Sequence, residues 1–287
     1  MEIKNRLALG LLEKNTFSLR KLITREVEYG KSFNCAGHKE GCDRKCTINL
    51  IKLNGKNYPF GGICNKYYNQ VHHIAVEPKQ FDFVAQRQKL VFRKIDLQGR
   101  GQRPNTIGFV KSYLVNTLYP LYYHFFSELG FKVILSDEVD KNGLKKVYSS
   151  FCFPAEISYG MFMNLLHKNL DCIFLPHVVE LYVENSLSYE PEMQSVCGIV
   201  QTEPYYLRSA FRQIKPELIS PVLNFSQGWH TAEKDFVTIG RKLGASTKAA
   251  KTAFQNALLK QLDFFKSIKM MGDLVLADLA KDQTKLV

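Results

Sequence analysis

The protein has 287 residues, of which 45% are hydrophobic and 23% are charged, and its formal net charge is +12. This balance is ordinary for a globular protein and excludes a disordered, collagen-like or coiled-coil chain. No stretch reaches the ~20 uncharged apolar residues of a membrane span, and the apolar run near the N-terminus is too short and too charged for a signal peptide. We therefore expect a cytoplasmic protein without a membrane partner. The positive charge favours an acidic partner, which could be nucleic acid, an acidic protein or a phosphorylated ligand.

Residues 1–75 are predicted to form an N-terminal helix followed by a small cysteine-rich β module. Apolar residues recur at helical intervals over residues 2–26. Thr47 to Leu53 then alternates like a strand, and Asn54-Gly55 is a strong signal for a two-residue hairpin turn. The module is expected to bind a metal through its cysteines.

Residues 76–104 are predicted to be a basic connector. The segment combines lysine and arginine with several phenylalanine, valine and leucine residues, which makes it too apolar for a flexible linker. We expect its apolar side chains to pack on the neighbouring domain while its charges stay in water.

Residues 105–222 alternate between short apolar runs and helical segments. The predicted strands are Ile107–Val110, Lys132–Leu135, Val147–Phe151, Asp171–Leu175 and Gly198–Gln201. The predicted helices are Asn116–Leu129, Glu156–His167 and Tyr205–Arg212. This order predicts an α/β domain with a parallel, flavodoxin- or Rossmann-like sheet covered by helices on both faces. Residues 223–287 are predicted to be helical, with a segment at 232–243 and a long apolar-striped helix capped by Ser246.

Four cysteines cluster in the N-terminal module. Cys35, Cys42, Cys46 and Cys64 are separated by seven, four and eighteen positions in a segment rich in glycine. Four thiolates close a tetrahedral zinc site or hold an iron–sulfur cluster, and the spacing does not choose between them. His38, His72 or His73 could replace one ligand, and the alternative is a set of buried thiols without a metal.

The other cysteines differ in their surroundings. Cys152 is expected in the loop that follows a strand and precedes a helix, where open α/β sheets bind ligands. It could be a nucleophile, a cluster ligand or a small residue at a turn. Cys197 lies at the predicted entry to a strand, and Cys172 has apolar neighbours that predict a core residue. The sequence contains no phosphate-loop, Gly-x-Ser-x-Gly or His-Glu-x-x-His motif, so we do not expect the chain to bind ATP by itself.

Residues 107–212 resemble a known family. The matching runs occur in the family's order: Ile107-Gly108-Phe109, Tyr119-Pro120-Leu121-Tyr122, residues 125–136, Cys152-Phe153-Pro154-Ala155-Glu156, Ile173-Phe174-Leu175-Pro176 and residues 197–204. They are similar to the uncharacterised domain of large activase-related proteins in the 2-hydroxyacyl-CoA dehydratase system, which are relatives of the dehydratase subunits and double-cubane cluster proteins. The sequence departs from the family pattern at Lys111, Glu156 and Gly198 and in the stretch Tyr159-Gly160-Met161.

The resemblance implies an iron–sulfur protein of ATP-dependent low-potential electron transfer. Cys152 and Cys197 match the positions at which the family places cysteines that ligate a 4Fe–4S cluster. The expected partner is an activator-type ATPase or a dehydratase-like second lobe or subunit, because the sequence ends where that lobe would begin. The chain would then be a component of a dehydratase-like or activase-like reductase that does not act alone.

Two other functions remain open at this stage. The first is a zinc-stabilised, non-enzymatic scaffold that binds an acidic partner or nucleic acid through basic residues of the connector and of the C-terminal helices: Arg241, Lys242, Lys248 and Lys251. We do not favour nucleic acid, because the aromatic residues do not lie beside the basic clusters. The second is thiol catalysis by Cys152 with His167 or His177 as the base.

Overall fold

The computed structural model describes residues 20, 23–37, 42, 44–53, 55–64, 66–73, 82–93, 105–149, 152–183 and 194–281. The chain forms two compact units, one from Met1–Asp82 with Leu279–Val287 and one from Phe83–Asp278. Most of the predicted N-terminal helix lies outside the described residues. None of the helices in the described ranges is both long and apolar enough to cross a membrane.

The smaller unit is a β module with one short helix. Its elements are β1 (Val27–Tyr29), β2 (Phe33–Asn34), β3 (Thr47–Leu53), β4 (Lys56–Phe60) and α1 (Lys66–Val71). Strand β3 pairs antiparallel with β1, β2 and β4, so it is central to the module. Leu53 pairs with Lys56 across a turn in which Gly55 has a φ of 77°. The predicted strand and hairpin are therefore confirmed.

The larger unit contains six strands and eight α-helices in the described ranges. The strands are β5 (Thr106–Phe109), β6 (Lys132–Leu135), β7 (Cys172–Phe174), β8 (His177–Glu180), β9 (Glu217–Ile219) and β10 (Val222–Asn224). The helices are α2 (Phe83–Val91), α3 (Val115–Glu128), α4 (Lys141–Leu144), α5 (Phe153–Leu166), α6 (Gly198–Gln201), α7 (Glu203–Ala210), α8 (Glu233–Lys242) and α9 (Thr247–Lys281). A 3₁₀ turn at Trp229–Ala232 precedes α8.

Four of these strands form a parallel sheet in the order β6-β5-β7-β9, and β8 pairs in parallel with β10 beside it. Alternate residues of β7 enter different cores. Cys172 and Phe174 join the larger core with α3, α8 and α9, whereas Ile173 joins the smaller core with α5 and α7. Helices therefore cover both faces, which confirms the predicted α/β architecture and the core position of Cys172.

Two predicted strands are wrong. Gly198–Gln201 forms the short helix α6. The N–H groups of Val200 and Gln201 donate to the Cys197 carbonyl, and the N–H of Thr202 donates to the Gly198 carbonyl, so these groups bond within the segment and not to a neighbouring strand. A four-residue apolar run has no periodicity that separates a strand from a helical turn, and the sheet uses β9 instead. Residues 147–149 are not a strand, and the rest of that predicted strand lies outside the described residues. The described residues between α4 and Cys152, which are 145–149, therefore contain no strand.

The described part of the basic connector packs on α3. Arg87 donates a hydrogen bond to Thr117 Oγ1 at 3.0 Å, and the rings of Phe92 and Tyr119 lie 4.9 Å apart. Val91 is fully buried. Leu90, Val91 and Phe92 thus pack on the larger core as the sequence predicted, whereas Val84 is exposed. Residues 94–104 lie outside the described ranges.

A buried glutamine forms hydrogen bonds with backbone groups of helix α3 that do not bond to each other. Pro120 lies inside this helix, where proline removes a backbone hydrogen bond and displaces the preceding turn. Gln261 of α9 accepts a hydrogen bond from the Leu121 N–H at 3.0 Å and donates one to the Thr117 carbonyl at 2.9 Å. These two backbone groups would bond to each other in a regular helix. The amide of Gln261 therefore replaces one step of the helix ladder.

We predict that Gln261→Leu lowers the free energy of unfolding by about 3 kcal/mol, because two buried backbone groups lose their partner. Urea denaturation measures this change. The matched control is Gln255→Leu on the same helix, whose amide bonds to Glu233 at the surface, and it should cost less than about 1 kcal/mol. Equal losses in the two variants would contradict the bridging role of Gln261.

Candidate functional site

The strand order creates one switch point in the parallel sheet. From β5 the chain passes through α3 to β6 on one side, and the later strand β7 pairs on the other side of β5. Open α/β sheets bind ligands in the crevice between such neighbours, beyond the carboxyl ends of their strands. The loops that follow β5 (110–114) and β7 (175–176) therefore frame the expected site.

A buried carboxyl group lies at this edge. Glu203, the first residue of α7, is almost fully buried and accepts a hydrogen bond from Ser112 Oγ at 2.6 Å. Ser112 follows β5, so this bond connects the loop after the strand to the start of α7. Burial raises the pKa of Glu203 to about 7, although the hydrogen bond from Ser112 favours the ionised form. The carboxyl group is therefore partly protonated at neutral pH.

Three hydroxyl groups meet beside this carboxyl. Tyr206 of α7 donates to the Tyr113 hydroxyl at 3.1 Å, and its oxygen lies 2.9 Å from Ser158 Oγ of α5. Tyr113 has a φ of 33°, an uncommon backbone conformation for a large side chain. We call Ser112, Tyr113, Ser158, Glu203 and Tyr206 the edge cluster.

The pKa of the Tyr113 hydroxyl depends on its burial and on the charges around it. Its pKa is raised to about 12 chiefly by burial, and negative charges on Glu203 and Cys152 raise it further. The pKa of Tyr206 is also raised, first by burial and then by the charge of Glu203. Glu203 lies beside Tyr113, because its carboxyl accepts the hydrogen bond from the preceding residue, Ser112.

The two predicted cluster ligands occupy the starts of helices. Cys152 is half-buried at the N-cap of α5, and Cys197 is exposed at the N-cap of α6. The segment before Cys197 is held against β8, since the Val196 N–H donates to the Val179 carbonyl at 2.9 Å. Of these two cysteines, Cys152 contributes to the raised pKa of Tyr113 in the edge cluster.

The two histidines of the thiol-catalysis hypothesis are placed differently, and His167 is too far from Cys152 to act as its base. His167 is the C-cap of α5, so a helix of fourteen residues separates it from the N-cap. That separation is about 20 Å along the helix axis. His177 Nδ1 lies 2.9 Å from the Gln201 carbonyl, and its ring packs on Tyr205 with centroids 4.5 Å apart. Because a carbonyl only accepts, Nδ1 of His177 carries a proton in this bond.

Three cysteines of the smaller unit, Cys35, Cys42 and Cys46, lie on adjacent backbone segments. The Cys35 N–H donates to the Cys46 carbonyl at 2.8 Å, which extends the pairing of β2 with β3. A β-carbon at Gly37 would collide with the carbonyl oxygen of Cys42, and one at Gly62 would lie 3.8 Å from the β-carbon of Cys46. Both glycines have a positive φ, so they allow these close approaches.

Tyr67 of α1 lies among three of these thiols. Negative charges on Cys35, Cys64 and Cys46 contribute to its pKa of about 12, which the hydrogen bond to Cys35 and burial raise first. The same hydrogen bond is the main reason that the pKa of Cys35 is lowered, followed by the bond from the Gly37 N–H. Lys66 Nζ, 3.9 Å from Cys35 Sγ, adds a favourable charge. This side of the module stabilises a thiolate.

Metal binding is not established by this arrangement. Across the described ranges, no group of three or more His, Cys, Asp or Glu side chains is arranged to hold a metal ion. The four cysteines of the smaller unit have the donor chemistry of a zinc or iron–sulfur site, and the hydrogen bond from Tyr67 lowers the pKa of Cys35. At the sheet edge, Cys152 and Cys197 are fewer than the four cysteines that a 4Fe–4S cluster takes.

Sequence reasoning missed the edge cluster. Its members come from three separate parts of the chain, and the pairing of Ser112 with Glu203 spans 91 positions. A usable signal was the polar pair Ser112-Tyr113 directly after a buried strand. A second was Glu203-Pro204, an acidic residue and a proline typical of the first turn of a helix.

The fold and this polar edge define an open-sheet α/β protein with its candidate site at the switch point. Residues 106–287 match the family described as the CoA enzyme activase uncharacterised domain. Because this match covers more than half of the chain, the protein belongs to that family, which confirms the resemblance found in the sequence. No curated protein and no solved structure matches the chain.

We predict that Glu203 makes the folded state less stable as the pH rises. The folded protein holds this proton up to about pH 7, whereas an unfolded glutamate releases it near 4.5. The contribution of Glu203 to the free energy of unfolding is therefore complete below about pH 4.5 and is lost as the pH rises through 7. The total change in this contribution is about 3 kcal/mol. Urea denaturation from about pH 5 to 8 measures it.

The control for this prediction is Glu203→Gln, which keeps an oxygen for the Ser112 hydroxyl and cannot ionise. In this variant, the free energy of unfolding should lack the part of its pH dependence that Glu203 causes. Parallel profiles for the wild type and the variant would show that Glu203 ionises normally in the folded protein.

Proposed function

We propose that this chain is an iron–sulfur component of ATP-dependent low-potential electron transfer, in a system related to 2-hydroxyacyl-CoA dehydratase and its activase. The proposal is supported by membership of a CoA enzyme activase family. The observation that carries it is the position of Cys152, a half-buried thiol at the start of α5 whose charge interacts with the edge cluster. The carboxyl edge is the usual ligand site of such sheets.

Cys152 and Cys197 would provide two of the ligands of a 4Fe–4S cluster. The remaining ligands would come from a dehydratase-like second lobe or subunit, since the described residues offer no third ligand beside these two cysteines. The cluster would accept and donate single electrons when bound. An activator-type ATPase is the expected source of those electrons, because the sequence has no phosphate-binding loop of its own.

The residues of the chain would control the surroundings of that group. Tyr113, Tyr206 and Ser158 supply hydroxyl groups within one hydrogen-bonded set next to Cys152. Glu203 supplies an ionisable group in a buried position, held by Ser112. A buried, uncharged environment lowers the reduction potential of a negatively charged cluster, because reduction adds charge to a region of low dielectric constant.

The cysteines of the smaller unit would hold a zinc ion or a second iron–sulfur cluster. Cys35, Cys42, Cys46 and Cys64 would be the ligands, and what favours this is the proximity of three of them to Tyr67. The hydrogen bonds that Cys35 accepts from Tyr67 and Gly37 are typical of the outer contacts that orient a metal-binding thiolate.

We predict that protein purified without oxygen is brown and contains about four iron atoms per cluster. Cys152→Ser and Cys197→Ser should each lower the iron content assigned to the sheet edge, because each removes a ligand. Iron and sulfide analysis with electronic spectroscopy measures this. Cys172→Ala is the matched control, since Cys172 is a buried core residue and should not change the iron content.

The outcome that removes this function is colourless, iron-free protein from a strictly anaerobic preparation made with its partner subunit present. One zinc per chain without iron would favour the alternative, a zinc-stabilised scaffold that binds an acidic partner.

A separate prediction concerns the smaller unit. Cys46→Ser should remove the metal bound there and lower the melting temperature of this unit, because β2 and β3 meet beside Cys46. Elemental analysis after removal of loosely bound metal measures the first effect. Cys172→Ala again serves as the control, and unchanged metal content in Cys46→Ser would contradict the assignment of this residue as a ligand.

A further inference from the structure

We propose that a cavity between α2, α3 and α9 binds a small anionic ligand with an aromatic body. The cavity has a volume of about 180 Å³, and its described lining residues all belong to the larger unit. None of these residues is a member of the edge cluster, so the inference goes beyond the proposed function and does not depend on a bound iron–sulfur cluster. Three features of the lining support it: an apolar floor, a charged mouth and a buried histidine.

The floor of the cavity is apolar and aromatic. Val91, Pro120 and Phe264 line it and are buried. Tyr119 is also buried, and its ring centroid lies 5.4 Å from that of Tyr123, which lines the same cavity. Aromatic side chains arranged in this way form a wall on which a further ring can pack. Because an apolar cavity of about 150 Å³ holds benzene, one six-membered ring fits the volume here.

The mouth of the cavity carries more positive than negative charge. Arg93, which follows α2, and Lys260 of α9 line it with exposed side chains, and so does Asp263. Neither cation forms an ion pair with a carboxylate in the described ranges. Two cations against one carboxylate attract a negatively charged group. The anionic end of the ligand would therefore lie at the mouth, with its ring against the floor.

A buried histidine lines the same cavity. His124 of α3 is only 8% exposed, and its imidazole forms no hydrogen bond with another residue in the described ranges. A neutral imidazole has one N–H donor and one acceptor nitrogen, and buried polar groups nearly always have a partner. An anionic group in the cavity would provide an acceptor for the donor of His124.

Binding of an anion would be linked to protonation of His124. Burial and then the positive charge of Lys260 lower the pKa of this histidine, so its protonated form is unfavourable without a nearby negative charge. An anion in the cavity supplies that charge and raises the pKa. By thermodynamic reciprocity, the anion then binds more tightly at a lower pH. The other charged or titratable side chains that line the cavity are Arg93, Tyr119, Tyr123, Lys260 and Asp263.

Two probes of similar shape test the charge requirement on the full chain. Benzenesulfonate keeps its negative charge at every pH at which the protein is folded, whereas benzenesulfonamide is neutral at about pH 6. Titration followed by NMR of the histidine ring signals gives both affinities. We expect benzenesulfonate to bind about tenfold more tightly at about pH 6, because hydrogen bonds to a charged group are stronger than neutral ones.

Two substitutions on α9 should change the affinity for benzenesulfonate in opposite directions. Lys260→Met removes a cation from the mouth and should weaken binding about threefold, whereas Asp263→Asn removes a carboxylate and should strengthen binding about threefold. Lys269→Met is the matched control, because Lys269 is an exposed lysine of α9 that is not part of the cavity lining. The affinity for benzenesulfonamide should stay the same in all three variants.

The titration of His124 provides an independent measurement on the wild-type protein. His124→Asn identifies the NMR signal of this histidine. Saturating benzenesulfonate should raise its titration midpoint by about half a pH unit, which is about a threefold change in proton affinity, and benzenesulfonamide should leave it unchanged.

Three results would overturn the proposal. The first is equal or undetectable binding of the two probes. The second is a His124 midpoint that benzenesulfonate does not change. The third is an equal affinity for benzenesulfonate in Lys260→Met and Lys269→Met.

Discussion

A carboxyl group buried without a counter-charge is the constraint around which the carboxyl edge of the sheet is organised. An isolated carboxylate is too costly to bury, so Glu203 keeps its proton up to about pH 7 and accepts a hydrogen bond from Ser112. That bond fixes α7 against the loop after β5. The position of α7 in turn brings the Tyr206 hydroxyl to Tyr113 and Ser158. The candidate site is thus stabilised by hydrogen bonds between buried polar groups, since leaving such groups unpaired costs free energy.

The same principle applies to helix α3. Pro120 leaves a backbone pair of α3 open, and Gln261 closes it from a helix about 140 positions later in the chain. In both places a buried polar side chain specifies how one helix packs against the rest of the unit, because any other packing would leave polar groups without partners. Apolar burial accounts for the two cores, and these hydrogen bonds select one arrangement of the helices.

Local sequence patterns predicted the elements well and the site only partly. The hairpin followed from Asn54-Gly55, and the alternation of strands and helices followed from apolar runs bounded by polar residues. The sequence predicts Gly198–Gln201 as a strand because a short apolar run carries no periodicity, and for the same reason it does not predict the short strands β8, β9 and β10. The prediction that residues 223–287 are helical is therefore wrong at its start, where Val222–Asn224 is a strand. The edge cluster depends on strand order and on contacts between distant residues. The sequence marks single members of the cluster, such as Ser112-Tyr113 after a strand and Glu203-Pro204 at a helix start, but it has no local signal for the contacts between them.

Anomalous diffraction at the iron absorption edge, from crystals grown without oxygen and with the partner subunit present, is the most direct test of the account. We expect an anomalous peak for iron within bonding distance of the sulfur atoms of Cys152 and Cys197. This peak should lie beside Tyr113, at the same edge of the sheet as Glu203. Iron found elsewhere, or sulfur atoms of these two cysteines too far apart to share one cluster, would contradict the account.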